Sequence, residues 1–158
     1  MADRLAWEFA FPSIGEGKLA LDAFKGRVLL VANTASFCGY TNQYAGLEKL
    51  HETMEARGLT VLGVPSRDFN QESADNATVK AFCETRFGVQ FPMAGLCHVR
   101  GAEAAPFYAW VRDETRWEPG WNFCKVLVGR DGRVVGTFGS GDEPQGAKLS
   151  AAIGAALG

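Results

Sequence analysis

Cys38 stands in the segment Asn33-Thr34-Ala35-Ser36-Phe37-Cys38-Gly39-Tyr40-Thr41, between an apolar run of strand length and a stretch with helical spacing. A thiol placed there lies at the carboxyl end of a buried strand, just before the first turn of a helix. In open α/β sheets that corner is where reacting groups collect. Unpaired N–H groups at a helix start, with the positive end of the macrodipole, stabilise an anion. The anion in question is the thiolate, the form of cysteine that attacks electrophiles. A small residue filling a tight strand–helix corner satisfies the same position, so position alone leaves both readings open.

The remaining cysteines, Cys83, Cys97 and Cys124, make no C-x-x-C pair, and with only His51 and His98 beside them no zinc-ligand spacing arises. Four cysteines are too few to staple 158 residues, a length that builds its own core. Cys97 and Cys124 fall in strand-like segments and read as structural. His51 is expected on the outer flank of its helix and His98 in a strand, neither in a catalytic role.

Composition narrows the class. Sixteen basic against eighteen acidic residues leave a net charge of -2, without an electrostatic footprint for nucleic acid or an anionic membrane. With 47% of residues in the hydrophobic set, the chain is too apolar for disorder. The longest apolar stretch, Val28 to Ala32, falls far short of the roughly 20 residues of a spanning helix. Asp3, Arg4 and Glu8 interrupt the place where a signal peptide needs its apolar segment. One soluble cytoplasmic domain over residues 1–158 is the expectation.

The elements that must hold Cys38 follow from periodicity. Trp7 to Ile14 reads as a first strand or hairpin arm with Gly15-Glu16-Gly17 as its turn. Arg27 to Asn33 is a continuous apolar run, the pattern of a strand covered on both faces. From Thr41 to Arg57, Tyr44, Leu47, Leu50 and Met54 make a helical stripe that Gly58 stops. Leu59 to Val64 is a second buried strand, closed by Pro65 and a polar loop. Asn76 to Phe87 is a helix with Asp75 as N-cap. Another helix begins near Glu103 and accommodates Pro106 in its first turn. Lys125 to Val128 and Val134 to Phe138 flank Asp131-Gly132, a hairpin signal, and Lys148 to Leu157 closes the chain as a helix. The order predicts an α/β sandwich on a mixed sheet, parallel in its first half and antiparallel in its second.

The pattern Asn33-x-Ala35-Ser36-x-Cys38-Gly39-x-Thr41-x-Gln43-Tyr44-x-x-Leu47 resembles the signature around the reactive cysteine of the glutathione peroxidase family. Pro65-x-x-x-Phe69-x-Gln71-Glu72 and Trp121-Asn122-Phe123-x-Lys125 resemble two further segments of that family. Phe91-Pro92-Met93 and Pro106-Phe107-Tyr108 fall at matching intervals, so the likeness runs over nearly the whole chain. Arg67 stands where the family carries Asn, and a single residue separates Phe69 from Gln71, so this loop is one residue shorter.

The resemblance implies a thioredoxin-like fold and a thiol-dependent peroxidase that reduces hydrogen peroxide and organic hydroperoxides in antioxidant defence. Cys38 would be the peroxidatic nucleophile, with Gln71, Trp121 and Asn122 as its polar neighbours. In thioredoxin this corner carries C-x-x-C; here Thr41 takes the second cysteine's place. An indole and two amides are neutral donors suited to a sulfur anion, at roughly 1.5–3 kcal/mol for each bond to a charged group. They also suit the departing alkoxide. Cys38 sulfenic acid is the implied product, and a thiol must remove it. In many family members a second cysteine in the following helix does so, and thioredoxin reduces the disulfide. Cys83 lies in that helix, one position before the commonest resolving place, which Glu84 occupies here. One residue turns a side chain by about 100°, so Cys83 either resolves after local unwinding or is a buried apolar residue. The implied reductant is thioredoxin, or glutathione in a one-cysteine cycle. A redox sensor with poor turnover is the reading from another class. No cofactor and no metal are expected. The segment between Pro106 and Trp121 is short where the family's tetrameric members carry longer insertions, so the resemblance implies a monomer.

Overall fold

The seven residues of β3, Val28–Thr34, are all buried, and the rest of the molecule is arranged around them. β3 pairs in parallel with β4, Leu59–Pro65, and antiparallel with β5, Lys125–Val128; β5 pairs antiparallel with β6, Val134–Phe138. The sheet order is therefore β4-β3-β5-β6, with the parallel pair from the first half of the chain and the antiparallel pairs from the second. This computed structural model describes residues 4–158; Met1, Ala2 and Asp3, the last counted against an apolar leader, lie outside the described residues.

Alternate residues of β3 enter two different cores. Leu29 and Val31 join Leu62, Val64, Val126 and Val128 beneath Phe9, Phe11 and α3, Pro106–Thr115. Val28, Leu30 and Ala32 join Val61 and Leu127 beneath α1, Gln43–Met54, α2, Asn76–Phe87, and α4, Ala147–Leu157. Helices on both faces explain why β3 reads as an unbroken apolar run rather than an alternating one.

Local signals act as expected at several boundaries. Asp75 caps α2 by accepting the Thr78 N–H at 2.9 Å. Gly132 takes a φ of 85° in the β5–β6 turn, and a Cβ there would lie 2.6 Å from the Trp7 indole nitrogen. A two-stranded hairpin of β1, Ala10–Pro12, and β2, Lys18–Ala20, turns through 13–17, where the Ser13 N–H donates to Gly17 O at 3.0 Å.

Five expectations need correction. Ala6–Glu8 is a 3-10 turn rather than strand, because the Glu8 carboxylate accepts the Leu5 N–H at 2.8 Å and closes it locally. α3 starts at Pro106, not near Glu103, since a residue before proline is driven to extended backbone and Ala105 has ψ 148°. Cys97 and His98 lie outside any strand. The N–H groups thereabouts are taken by side chains and loops: Leu96 donates to Asn76, Cys97 to Pro65 O and Val99 to Asp68. Only single bridges at Met93 and Ala94 remain. Cys124 precedes β5 and is buried. His51, expected on an outer flank, keeps only 12% of its side chain exposed and packs edge-on to Phe91.

Candidate active site

β3 ends at Thr34, and the chain then turns through Ala35–Asn42 before α1 begins. Thr41 organises this turn. Its hydroxyl accepts the Cys38 N–H at 2.9 Å and donates to Ala35 O at 3.0 Å, while its own N–H donates to Cys38 O at 3.1 Å. The Cys38 sulfur takes a bond within this same turn: the Tyr40 N–H donates to Sγ at 3.3 Å. Among the described residues, this is the one hydrogen bond to that sulfur from a backbone donor.

Two other loops converge on the turn. The shortened loop after β4 reaches it by a tight reversal: Asn70 takes the left-handed region at φ 59° and donates its N–H to Arg67 O at 2.9 Å. Asn tolerates that conformation. Gln71 then accepts the Phe37 N–H on its carbonyl at 3.0 Å, beside Cys38. Arg67 is exposed on the outside of this reversal.

The loop before β5 brings Trp121 and Asn122. Asn33 holds it by donating its side-chain amide to Trp121 O at 2.8 Å and accepting the Phe123 N–H at 2.6 Å. Phe123 is forced to φ 60°, unfavourable for an aromatic residue; its ring is buried edge-on to Tyr44, 5.2 Å between centroids. Asn122 is fully buried, and its Nδ2 donates to Gln71 Oε1 at 3.1 Å. Trp121 rests against Phe69, 5.3 Å between ring centroids. The structure brings the two amides together; neither they nor the indole makes a hydrogen bond to the Cys38 sulfur among the described residues. Phe37, Tyr40 and Trp121 leave an aromatic rim exposed around the turn, with Phe37 64% accessible.

Cys83 is buried in the core under α1 and α2, and burial pushes its thiol up to about 11. The residues preceding the two cysteines touch, Phe37 against Phe82 at 6.3 Å between ring centroids. Cys83 also borders a cleft of about 340 Å³ beside Lys80, Glu84 and Gln90. Glu72 is buried next to Ser36, and desolvation raises its carboxyl above the usual range. Cys97 is pushed up to about 12, first by burial and then by Asp68. His98 meets Asp68, which raises the imidazole above its ordinary value.

Residue types alone left Asn33, Tyr40 and Thr41 without roles. Asn33 and Thr41 were visible as motif positions, whereas a backbone N–H such as that of Tyr40 leaves no trace in residue identity.

Residues 6–112 match the family model described as glutathione peroxidase. The chain belongs to the glutathione peroxidase family. A glutathione peroxidase of Lactococcus lactis is 38% identical over 144 residues, covering 88% of this chain and 92% of its own. A hydroperoxy fatty acid reductase of Synechocystis is 39% identical over 157 residues, covering 90% and 91%. A glutathione peroxidase-like peroxiredoxin of Schizosaccharomyces pombe is 38% identical over 126 residues, covering 77% and 80%. Among solved structures, the apo form of Trgpx superposes with a TM-score of 0.78 at 31% identity, over 98% of this chain and 97% of that one. A thiol:disulfide interchange protein of the thioredoxin family from Chlorobium tepidum, at 15% identity and a TM-score of 0.71, covers all of both chains and shows the fold alone. The fold is thioredoxin-like, and the protein is a glutathione peroxidase-like peroxidase.

Proposed function

We propose that Cys38 is the peroxidatic residue and that the chain, 1–158, works as one cytoplasmic, monomeric peroxidase domain. The observation that carries this reading is the Tyr40 N–H directed at Cys38 Sγ at 3.3 Å. A backbone N–H held at this sulfur can give the attacking anion a charge-assisted hydrogen bond. The thiolate attacks the terminal peroxide oxygen, the O–O bond breaks, and its electron pair leaves with the alkoxide, or with hydroxide from hydrogen peroxide. Protonation of that anion gives alcohol or water, and Cys38 is left as sulfenic acid. Gln71, Trp121 and Asn122 orient the peroxide and receive the departing oxygen. The exposed Phe37, Tyr40 and Trp121 rings suit organic hydroperoxides as well as hydrogen peroxide, and they give a protein reductant an apolar seat.

The cycle closes when Cys83 condenses with the sulfenic acid, releasing water, and thioredoxin reduces the disulfide. Support comes from the Phe37–Phe82 contact that abuts both cysteines. Because Cys83 is buried and its thiol is held protonated to about 11, α2 has to open locally first. The same burial favours a second reading, a one-cysteine cycle with glutathione.

NADPH-coupled peroxide turnover with thioredoxin or glutathione, on wild type, Cys38→Ser and Cys83→Ser, tests both. Turnover is expected to vanish in Cys38→Ser; equal activity in wild type and Cys38→Ser overturns the proposal. Undiminished thioredoxin-supported turnover in Cys83→Ser removes the two-cysteine cycle and leaves the glutathione one. Stoichiometric Cys38 oxidation without turnover identifies a sensor.

A further inference from the structure

Lys125 is fully buried, at the start of β5 and four residues beyond Trp121. Among the described residues its ammonium meets only neutral oxygens: Gln43 Oε1 and Asp142 O, each at 2.6 Å, Ser140 O at 3.3 Å and Gly139 O at 3.5 Å. A buried, unpaired cation is expensive, and the carboxylates nearest to it are engaged elsewhere. Asp142 accepts from the Gly139 N–H and faces Lys148; Glu143 accepts from Gln43 Nε2.

Two chains of hydrogen bonds leave this ammonium and both end at the Cys38 turn. In the first, Gln43 accepts from Lys125, the Gln43 N–H donates to Tyr40 O at 2.8 Å, and the Tyr40 N–H donates to Cys38 Sγ. In the second, Ser140 O accepts from Lys125 and Ser140 Oγ donates to Asn122 O at 2.6 Å. From there Asn122 Nδ2 reaches Gln71, whose carbonyl takes the Phe37 N–H. Gln43 Nε2 also donates to Ser140 O at 2.6 Å and ties the two chains together.

We propose that Lys125 is a positioning residue of the peroxidase: its buried ammonium keeps the Cys38 turn and the Asn122 loop in register through this closed circuit. The inference rests on Cys38 being the peroxidatic residue. It makes the site pH-sensitive from within. Burial lowers the Lys125 amine to about 8, against the opposing pull of Cys124, the residue just before β5, and of Glu143 and Asp142 in the loop after β6. Gln43, from α1, presents no charge. Above that pH the amine loses a donor and its charge, and both chains slacken. The sign for stability is opposite. Between about 8 and 10.5 the unfolded chain binds the proton that the folded one has lost, so the Lys125 contribution to stability rises with pH. Loss of rate with gain in stability separates positioning from general unfolding.

The test is the stopped-flow rate of Cys38 oxidation by hydrogen peroxide, for wild type and Lys125→Met, across the pH range that brackets about 8. Wild type is expected to show an alkaline decline that Lys125→Met lacks, and the folded variant to react about tenfold to a hundredfold more slowly at neutral pH. A folded Lys125→Met with the wild-type rate and the same decline overturns the proposal. Should that variant not fold, Ser140→Ala cuts only the Asn122 arm; a severalfold slower rate with the alkaline decline retained is expected, and a wild-type rate overturns it. Cys38→Ser that still consumes peroxide would fail the parent reading instead, whatever the Lys125 variants do.

Discussion

The side-chain amide of Asn33 donates to the carbonyl of Trp121 at 2.8 Å, joining the end of β3 to a loop 88 residues further along the chain. Through its own carbonyl, Asn33 also holds the Phe123 N–H, so one buried residue fixes the loop on both sides of Asn122. Asn33→Ala leaves a carbonyl unpaired in a part-buried place, a loss of about 1–3 kcal/mol. The Phe123 N–H keeps its partner, because that bond is made to the main-chain carbonyl of residue 33. Chemical denaturation is expected to show that loss, and stopped-flow oxidation of Cys38 to slow by about tenfold, a displacement effect. An unchanged rate in the folded variant would detach the Trp121 loop from the chemistry.

Thr41 bonds to both ends of the Cys38 turn, at the Cys38 N–H and at Ala35 O. Thr41→Val preserves shape and removes both bonds, with an expected destabilisation of about 1–3 kcal/mol. The Cys38 turn is then no longer held against β3, and kcat/KM for hydrogen peroxide should fall. A stability loss with kcat/KM intact would show that the Thr41 bonds serve folding alone.

A two-cysteine cycle requires α2 to open, so weakening its N-cap should help the chemistry while harming the fold. Asp75→Ala removes the acceptor of the Thr78 N–H and costs about 1 kcal/mol. Intact-mass measurement after one equivalent of peroxide is expected to show the disulfide, two hydrogens lighter, forming faster than in wild type. Slower formation would mean that the folded helix, rather than an opened one, presents Cys83.

Cys83 at about 11 and Cys97 at about 12 are held above their ordinary 9.0 mainly by burial. The folded chain keeps these protons where the unfolded chain releases them. Their contribution to stability is therefore whole below 9.0 and is lost as pH rises towards about 11 and 12. Urea unfolding should show stability declining through this alkaline window, and Cys83→Ala should make the decline shallower. A profile equally steep in Cys83→Ala would place the buried thiol outside the titration.

Much of the scaffold was legible without coordinates because its determinants are local. The apolar run at 28–34, the stripe of Tyr44, Leu47 and Leu50, the Asp75 cap and Asp131-Gly132 each act within a few residues of where they are read. The segment around Cys97 and His98 was misread for the complementary reason. Its apolar content suggested a strand, but Asn76 and Asp68, distant in the chain, took the N–H groups a strand ladder needs.

The site divides along the same line. Residue types and spacing alone determined that this is an α/β chain with a thiol at the carboxyl end of a buried strand; that Gln71, Trp121 and Asn122 belong with it is what the resemblance of their segments to the family implied. Only the tertiary structure decided what holds them: Asn33 against Trp121, the Tyr40 N–H on the sulfur, Gln71 paired with Asn122, Cys83 sealed in the core, and Lys125 buried among neutral oxygens. Periodicity and capping report how a segment meets water and its own backbone. Which distant groups satisfy a buried donor is settled when the two faces of the sheet are covered and every remaining N–H and ammonium must find an oxygen.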